Sequence, residues 1–216
     1  MREDESIAIV IGATGGIGRA VVECLQADER YQKVISYSRS SQPSLDLTSE
    51  ETIENAAQNA ALYGVPRIIF DATGFLHDKN IQPEKALKHL TSDAMLQNFL
   101  INAAGPALLM KYFLPLLPKS GRSVFASLSA KVGSISDNQI GGWHSYRASK
   151  AAQHQFIKGA AIELARTKKE AICVALHPGT VDTGLSGPFA KSGLNEQTPK
   201  QSAKALLTVM DGLTPQ

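Results

Sequence analysis

Apolar and polar positions alternate along this chain in blocks of two kinds. Short runs rich in apolar and β-branched residues at 6–11, 33–38, 66–71, 122–128 and 171–176 predict buried strands. The segments 16–27, 49–62, 92–117, 145–167 and 199–212 predict helices, with a shorter one near 83–88. In the first helix Ile17, Ala20, Val21, Cys24 and Leu25 recur at i, i+3, i+4, i+7 and i+8, so one face is buried while Arg19 and Glu23 point outward. Strands that alternate with helices build a mainly parallel sheet covered on both faces. No repeat, low-complexity stretch or linker divides the chain. The expectation is a doubly wound α/β protein with a single domain over residues 1–216.

The junction between the first strand and the first helix carries the first chemical signal. Ser6–Ile11 stops abruptly at Gly12-Ala13-Thr14-Gly15-Gly16-Ile17-Gly18. Glycines there let the backbone turn tightly and approach a pyrophosphate, and the helix N-terminus offers unpaired N–H groups to phosphate. Glycine-rich turns also occur as plain loops. This one sits between a strand and an amphipathic helix, the context a nucleotide-binding Rossmann-type sheet requires.

A second signal lies in Tyr146-Arg147-Ala148-Ser149-Lys150, where helical spacing sets a phenol and an ammonium on one face, one turn apart. A free phenol titrates near ~10, and a cation within ~4–6 Å favours its anion, which turns a tyrosine into a usable acid. Tyr-x-x-x-Lys alone is common on surface helices. Joined to the glycine turn it gains weight.

The two signals together resemble the short-chain dehydrogenase/reductase family over essentially the whole chain. The family's Thr-Gly-x-x-x-Gly-x-Gly turn is matched from Ile11 to Gly18, with Ile11 in place of the threonine. The resemblance implies cofactor contacts from Gly12, Thr14, Gly15, Gly16, Ile17 and Gly18, and from Asp46 and Leu47 at the adenine. Asp71-Ala72-Thr73-Gly74 stands where the family has Asn-Asn-Ala-Gly, so only the backbone role of Gly74 carries over, and none for Asp71. Pro178, Gly179, Val181 and Thr183 match the segment that holds the nicotinamide carboxamide, and Lys150 the lysine that binds the ribose. Asn102 matches the asparagine of the long helix beneath the active site, where it would anchor a water joining Lys150 to solvent. A lone asparagine in so apolar a helix also needs a partner of its own.

For the catalytic serine the family shows adjacent serines where this chain has Ser129-Ala130. Ser129 is favoured because it falls at a strand's carboxyl end, where ligands bind in open α/β sheets, whereas Ser127 lies within the strand. The spacing to Tyr146 is longer than usual, which keeps Ser134 open as an alternative. The run 132–144 resembles the C-factor-like members of the family. The resemblance as a whole implies hydride exchange between a nicotinamide and a small carbonyl or alcohol, with Tyr146 as general acid and base and Ser129 holding the substrate oxygen. It also implies a homo-dimer or homo-tetramer and a further strand after the last helix. The sequence to Gln216 does not supply that strand, so either a tail is omitted or the sheet lacks an edge.

Cofactor choice is read from Tyr37-Ser38-Arg39. An NAD-binding chain would carry an acid there for the 2′-hydroxyl; Ser38 is neutral and Arg39 can pair with a 2′-phosphate, so NADP(H) is favoured over NAD(H). The net charge of +2 comes from nearly balanced ions, and Arg166, Lys168 and Lys169 are followed at once by Glu170, which gives no nucleic-acid stripe. Cys24 and Cys173 read as reduced core residues. The apolar stretch 103–118 is short for a membrane span and is broken by Lys111 and Pro115, and the acidic start shows no signal peptide, so a cytoplasmic protein with no membrane partner is expected. No metal site is expected. Substrate choice would rest on the loop 184–197 and on Leu76, His77, Trp143 and His144. The competing reading is a non-catalytic NADP-binding regulatory protein on the same fold.

Overall fold

In a computed structural model of the protein, residues 5–185 and 196–215 are described. Most of the expected specificity loop, 186–195, lies outside the described residues. The chain runs β1 (Ser6–Ile11), α1 (Gly16–Gln26), β2 (Lys33–Tyr37), α2 (Glu50–Ala60), β3 (Val65–Asp71), α3 (Ser92–Phe99), α4 (Gly105–Phe113), β4 (Ser123–Leu128), α5 (His144–Thr167), β5 (Ala171–Leu176) and α6 (Pro199–Gly212). The short helix expected near 83–88 is a 3₁₀ turn at Leu87–His89. Among the described residues no strand follows α6.

The strands form one parallel sheet in the order β2-β1-β3-β4-β5. From β1 the chain first moves outward to β2, then crosses back to β3 on the other side. That reversal opens a crevice at the carboxyl ends of β1 and β3, where open α/β sheets bind ligands. Side chains alternate across the sheet and so feed two cores. Ile7, Ile9, Ile11, Ile69 and Phe125 pack on one face with α2, α4 and α5. Ala8, Val10, Ile68, Phe70 and Val124 pack on the other with α1 and α6. Strands buried on both faces read as continuous apolar runs, which is why β1, β3 and β4 are so plain in the sequence.

The long helix expected at 92–117 is a continuous helical run whose centre widens into a π turn at Leu100–Ala104. The widening falls where Pro106 has no N–H to give the carbonyl of Asn102 four residues earlier. By length and composition alone the run Ser92–Leu116, 25 residues, could cross a membrane. Its Leu109, Met110 and Phe113 are instead buried in the core against the sheet.

The turn after β1 depends on the absence of side chains. Gly12 takes φ +79°, and a Cβ on Gly18 would lie 2.2 Å from the Gly12 carbonyl oxygen. Gly18→Ala should therefore force β1 and α1 apart, at about 1–3 kcal/mol for an overpacked site. Thermal unfolding should come several degrees earlier. A variant with unchanged melting temperature would show that the turn has room to spare.

Candidate active site

Every strand end of the sheet delivers residues to two adjoining cavities. One, of about 330 Å³, is lined by Gly12, Thr14, Gly15, Ser38, Arg39, Asp46, Leu47 and Gly74. The other, of about 280 Å³, is lined by Gly15, Gly16, Ile17, Gly18, Gly74, Ser129, Tyr146, Lys150, Pro178 and Thr183. Gly15 belongs to both walls, so the start of α1 stands between the two hollows. A larger and more open hollow of about 800 Å³ lies between α4 and α5 and holds none of these residues. Gly179, at φ +78°, and the buried Val181, bridged to Gln197, support the wall behind Pro178 without lining it.

The first cavity suits the adenosine end of a dinucleotide. Asp46 is fixed by the Thr48 N–H at 2.9 Å and hydroxyl at 2.8 Å, which hold its carboxyl below the usual range, while partial burial opposes them and the Arg39 charge adds a smaller pull. Arg39 is exposed at the rim. Between the cavities, α1 begins at Gly15 without a side-chain cap and without an acid in its first turn, so its N–H groups are left for an external anion. The residues present thus fit a pyrophosphate-containing cofactor.

Tyr146 stands on the first turn of α5, and that turn is fixed from a distance. Trp143, left-handed at φ 51°, donates its N–H to the carbonyl of Glu84 at 2.5 Å. The Glu84 carboxylate, only 4% exposed, accepts from the Ser145 N–H at 3.2 Å and from the Ser145 hydroxyl. An acid at a helix N-terminus satisfies orphan donors and complements the helix dipole. Trp143 also packs edge-on against Tyr146, with ring centroids 6.1 Å apart. Burial pushes the Tyr146 phenol up to about 12.

Lys150 is buried, and its ammonium is satisfied away from the phenol. Nζ donates to the Leu128 carbonyl at 3.1 Å and to Gln153 Oε1 at 3.0 Å, and lies 5.9 Å from the centre of the Tyr146 ring. Burial lowers its pKa to about 8, with Asp71 pulling the other way. The expectation that Lys150 lowers the Tyr146 pKa is therefore not met in the protein alone: burial dominates, because the cation is turned to Leu128 and Gln153.

Behind Lys150 runs a buried polar chain that sequence reasoning missed. Gln153 Nε2 donates to Ser127 Oγ at 2.8 Å, and Ser127 donates to Asp71 Oδ2 at 2.5 Å. The other oxygen of Asp71 accepts from the Thr73 N–H and hydroxyl. Asp71 is fully buried, and desolvation raises its pKa against the bonds from Ser127 and Thr73 and the Lys150 charge. Asp71, set aside in the sequence because it departs from the family's asparagine, fixes the loop that carries Gly74. One signal for Gln153 existed: it sits three residues after Lys150, on the same helix face.

Asn102 finds the partner its burial requires in the backbone of Phe75. Its Oδ1 accepts the Phe75 N–H at 2.8 Å, and its Nδ2 donates to the Phe75 carbonyl at 2.7 Å, within 3.2 Å also of Asn98 Oδ1 and Ser149 Oγ. The side chain thus clamps the 72–76 loop to the π turn. Ser129 and Ser134 separate clearly. Ser129 is buried at the end of β4, with its N–H on the Leu176 carbonyl at 2.8 Å, and lines the cavity of Tyr146. Ser134 lines a different hollow with His144 and Arg147 and bonds to Ser136. At the cavity mouth His77 Nε2 lies 3.2 Å from the Gly184 carbonyl oxygen.

A family model described as "Enoyl-(Acyl carrier protein) reductase" matches residues 18–210. The chain is 29% identical over 222 residues to the 1-hydroxy-2-glutathionyl-2-methyl-3-butene dehydrogenase of Rhodococcus sp. (strain AD45), covering 98% of this chain and 93% of that protein. It is 33% identical over 122 residues to the C-signal protein of Myxococcus xanthus, covering 56% of this chain and 69% of the other. Among solved structures, NADPH-bound carbonyl reductase from chicken fatty liver superposes with a TM-score of 0.82 at 23% identity, covering 99% of this chain and 93% of that one. A short-chain dehydrogenase from Burkholderia cenocepacia J2315 in complex with NADP gives 0.79 at 23%, covering 100% and 88%. Model match, relatives and shared fold agree: the chain belongs to the short-chain dehydrogenase/reductase family, among its C-factor-like members.

Proposed function

We propose that this protein is an NADP(H)-preferring oxidoreductase that interconverts a small carbonyl compound and its alcohol. The observation that carries the reading is the gathering of Tyr146, Lys150 and Ser129 in one cavity with the glycine turn of α1. Structures of the same fold that hold NADPH or NADP support it. The bound nicotinamide would supply hydride chemistry. Gly12, Gly15, Gly16 and the start of α1 would hold the pyrophosphate, Arg39 the 2′-phosphate, and Pro178 to Thr183 the carboxamide end.

Tyr146 would give its phenolic proton to the substrate oxygen in reduction and take it back in oxidation. Ser129 would donate to the same oxygen and orient it. Lys150 has three hydrogens and spends two on Leu128 and Gln153, so one remains for a ribose hydroxyl. Asn102 would act through the Phe75 loop, as a clamp. The protein would work in the cytoplasm as a homo-dimer or homo-tetramer.

Tyr146→Phe keeps the ring and loses the proton, so reduction of a carbonyl panel followed at the reduced-cofactor absorbance should fall ~10²–10⁴-fold while NADPH binding stays near wild type. Retained turnover would remove the role assigned to the phenol. If wild type binds NADPH tightly yet reduces neither carbonyls nor an enoyl thioester, the protein is a nucleotide-binding regulator instead.

Cofactor preference turns on Arg39. A charge-assisted bond is worth ~1.5–3 kcal/mol, so Arg39→Ala should weaken NADPH by roughly ten- to a hundredfold and leave NADH within a few-fold. Equal weakening of both by calorimetry would make Arg39 a solvated loop charge.

Tyr146 also offers a spectroscopic test. With burial holding its phenol at about 12, its phenolate should be absent through the neutral range in the protein alone. The positive nicotinamide ring of NADP⁺ favours the anion, so its titration, read as the ultraviolet difference from Tyr146→Phe, should shift to lower pH on NADP⁺ binding. An unmoved titration would contradict a phenol placed beside that ring.

A further inference from the structure

Ser129 is bonded by a histidine to which the proposed chemistry gives no part. His154 Nε2 lies 2.7 Å from Ser129 Oγ, and the ring is seated, not loose. Gly133 of the turn Lys131–Gly133 lies against it: a Cβ on that glycine would stand 2.8 Å from His154 Cε1 and 2.9 Å from the Lys150 backbone. The serine is equally fixed, since its own N–H is tied to the Leu176 carbonyl at the end of β5. His154 is one helical turn beyond Lys150, so tyrosine, lysine and histidine follow at intervals of four along one stripe of α5.

A hydroxyl has one hydrogen, and the bond to His154 decides where it goes. If Nε2 is the bare nitrogen, Ser129 donates to it and turns only lone pairs to the cavity. If Nε2 carries the proton, it donates to Ser129 Oγ and the serine hydrogen is free to point into the cavity, because among the described residues no other acceptor bonds that oxygen. A carbonyl or alcohol oxygen held beside the Tyr146 hydroxyl needs the second arrangement.

We propose that His154 is a positioning residue that donates from Nε2 to Ser129 Oγ and thereby aims the serine hydrogen at the substrate oxygen. Burial and the Lys150 charge lower the pKa of the ring and so favour its neutral form, within which the arrangement is a choice of tautomer, and the Nε2–H form is also the favoured one of a free imidazole. The consequence for rate rests on the carbonyl chemistry proposed above; the tautomer does not.

Two measurements separate these. In protein labelled with ¹⁵N-histidine and assigned with His154→Gln, the His154 ring nitrogens should show Nε2 protonated and Nδ1 bare at neutral pH without cofactor; the opposite tautomer would overturn the proposal outright. With benzaldehyde as carbonyl probe and saturating NADPH, His154→Leu should lower kcat about tenfold, the worth of one oriented hydrogen bond, with the KM for NADPH unchanged. His154→Gln, which can still donate to Ser129, should recover most of that loss. In a Ser129→Ala background His154→Leu should cost nothing more, whereas a full tenfold loss there would show that His154 does not act through the serine. A wild type that reduces no carbonyl would strike the proposed function alone, and the tautomer would then decide this inference by itself.

Discussion

A buried ammonium governs the arrangement of this site. Placing the charge of Lys150 out of water is costly unless its hydrogens find acceptors, an unpaired ion there would simply lose its proton, and two of the three are taken up inside the protein. The acceptors come from two elements: the Leu128 carbonyl at the open end of β4 and Gln153 on α5. Gln153 is in turn held by Ser127, and Ser127 by Asp71 at the end of β3. The need to solvate one cation thus ties three adjacent elements together at the carboxyl edge of the sheet, where open α/β sheets bind ligands. It also bears on the fully buried Asp71: desolvation raises its pKa, and hydroxyl and amide donors on its oxygens and the Lys150 charge oppose that rise.

Two further polar side chains act at longer range. Glu84 caps α5 one residue before Tyr146, and Asn102 holds the Phe75 backbone from the π turn. Each is almost fully buried, and each joins an irregular segment to a regular one. Loops adjust where sheets and helices cannot, so a site built on strand ends and loop backbone needs such clamps to keep its geometry. The π turn belongs to the same logic: its widened backbone places Asn102 to reach Phe75 on the neighbouring loop.

Most of the fold was legible because strands buried on both faces are written as unbroken apolar runs, and β1, β3, β4 and β5 were found within a residue or two. The 3₁₀ turn at Leu87–His89 is not told from a helix by the sequence, because spacing alone does not separate a single turn from the start of a longer one. Cavity-lining residues were legible where chemistry demands a residue type at a fixed offset, as in the glycine turn and the Tyr146–Lys150 pair. The residues that orient them were not. Glu84 lies 61 positions from Ser145, and Ser127 lies 56 from Asp71, so no local pattern links them. Gln153 and His154 were within reach, since both follow Lys150 on its own helix face, but a polar residue at that spacing is ordinary until the fold shows what it touches.

The opposed shifts of Tyr146 and Lys150 follow from one cause and set the terms on which a cofactor would enter. Low-dielectric surroundings penalise whichever form is charged, so they raise a phenol and lower an ammonium together, here to about 12 and about 8. In that state Tyr146 is a secure proton reservoir and a poor base. Positive charge brought close to the phenol stabilises its anion without harming its neutral form, and it would do so most strongly where water is excluded. An oxidised nicotinamide is such a charge and a reduced one is not. Under the proposed function a single buried tyrosine would thus remain an acid facing the reduced cofactor and become a base facing the oxidised one, with the dry environment making the difference large.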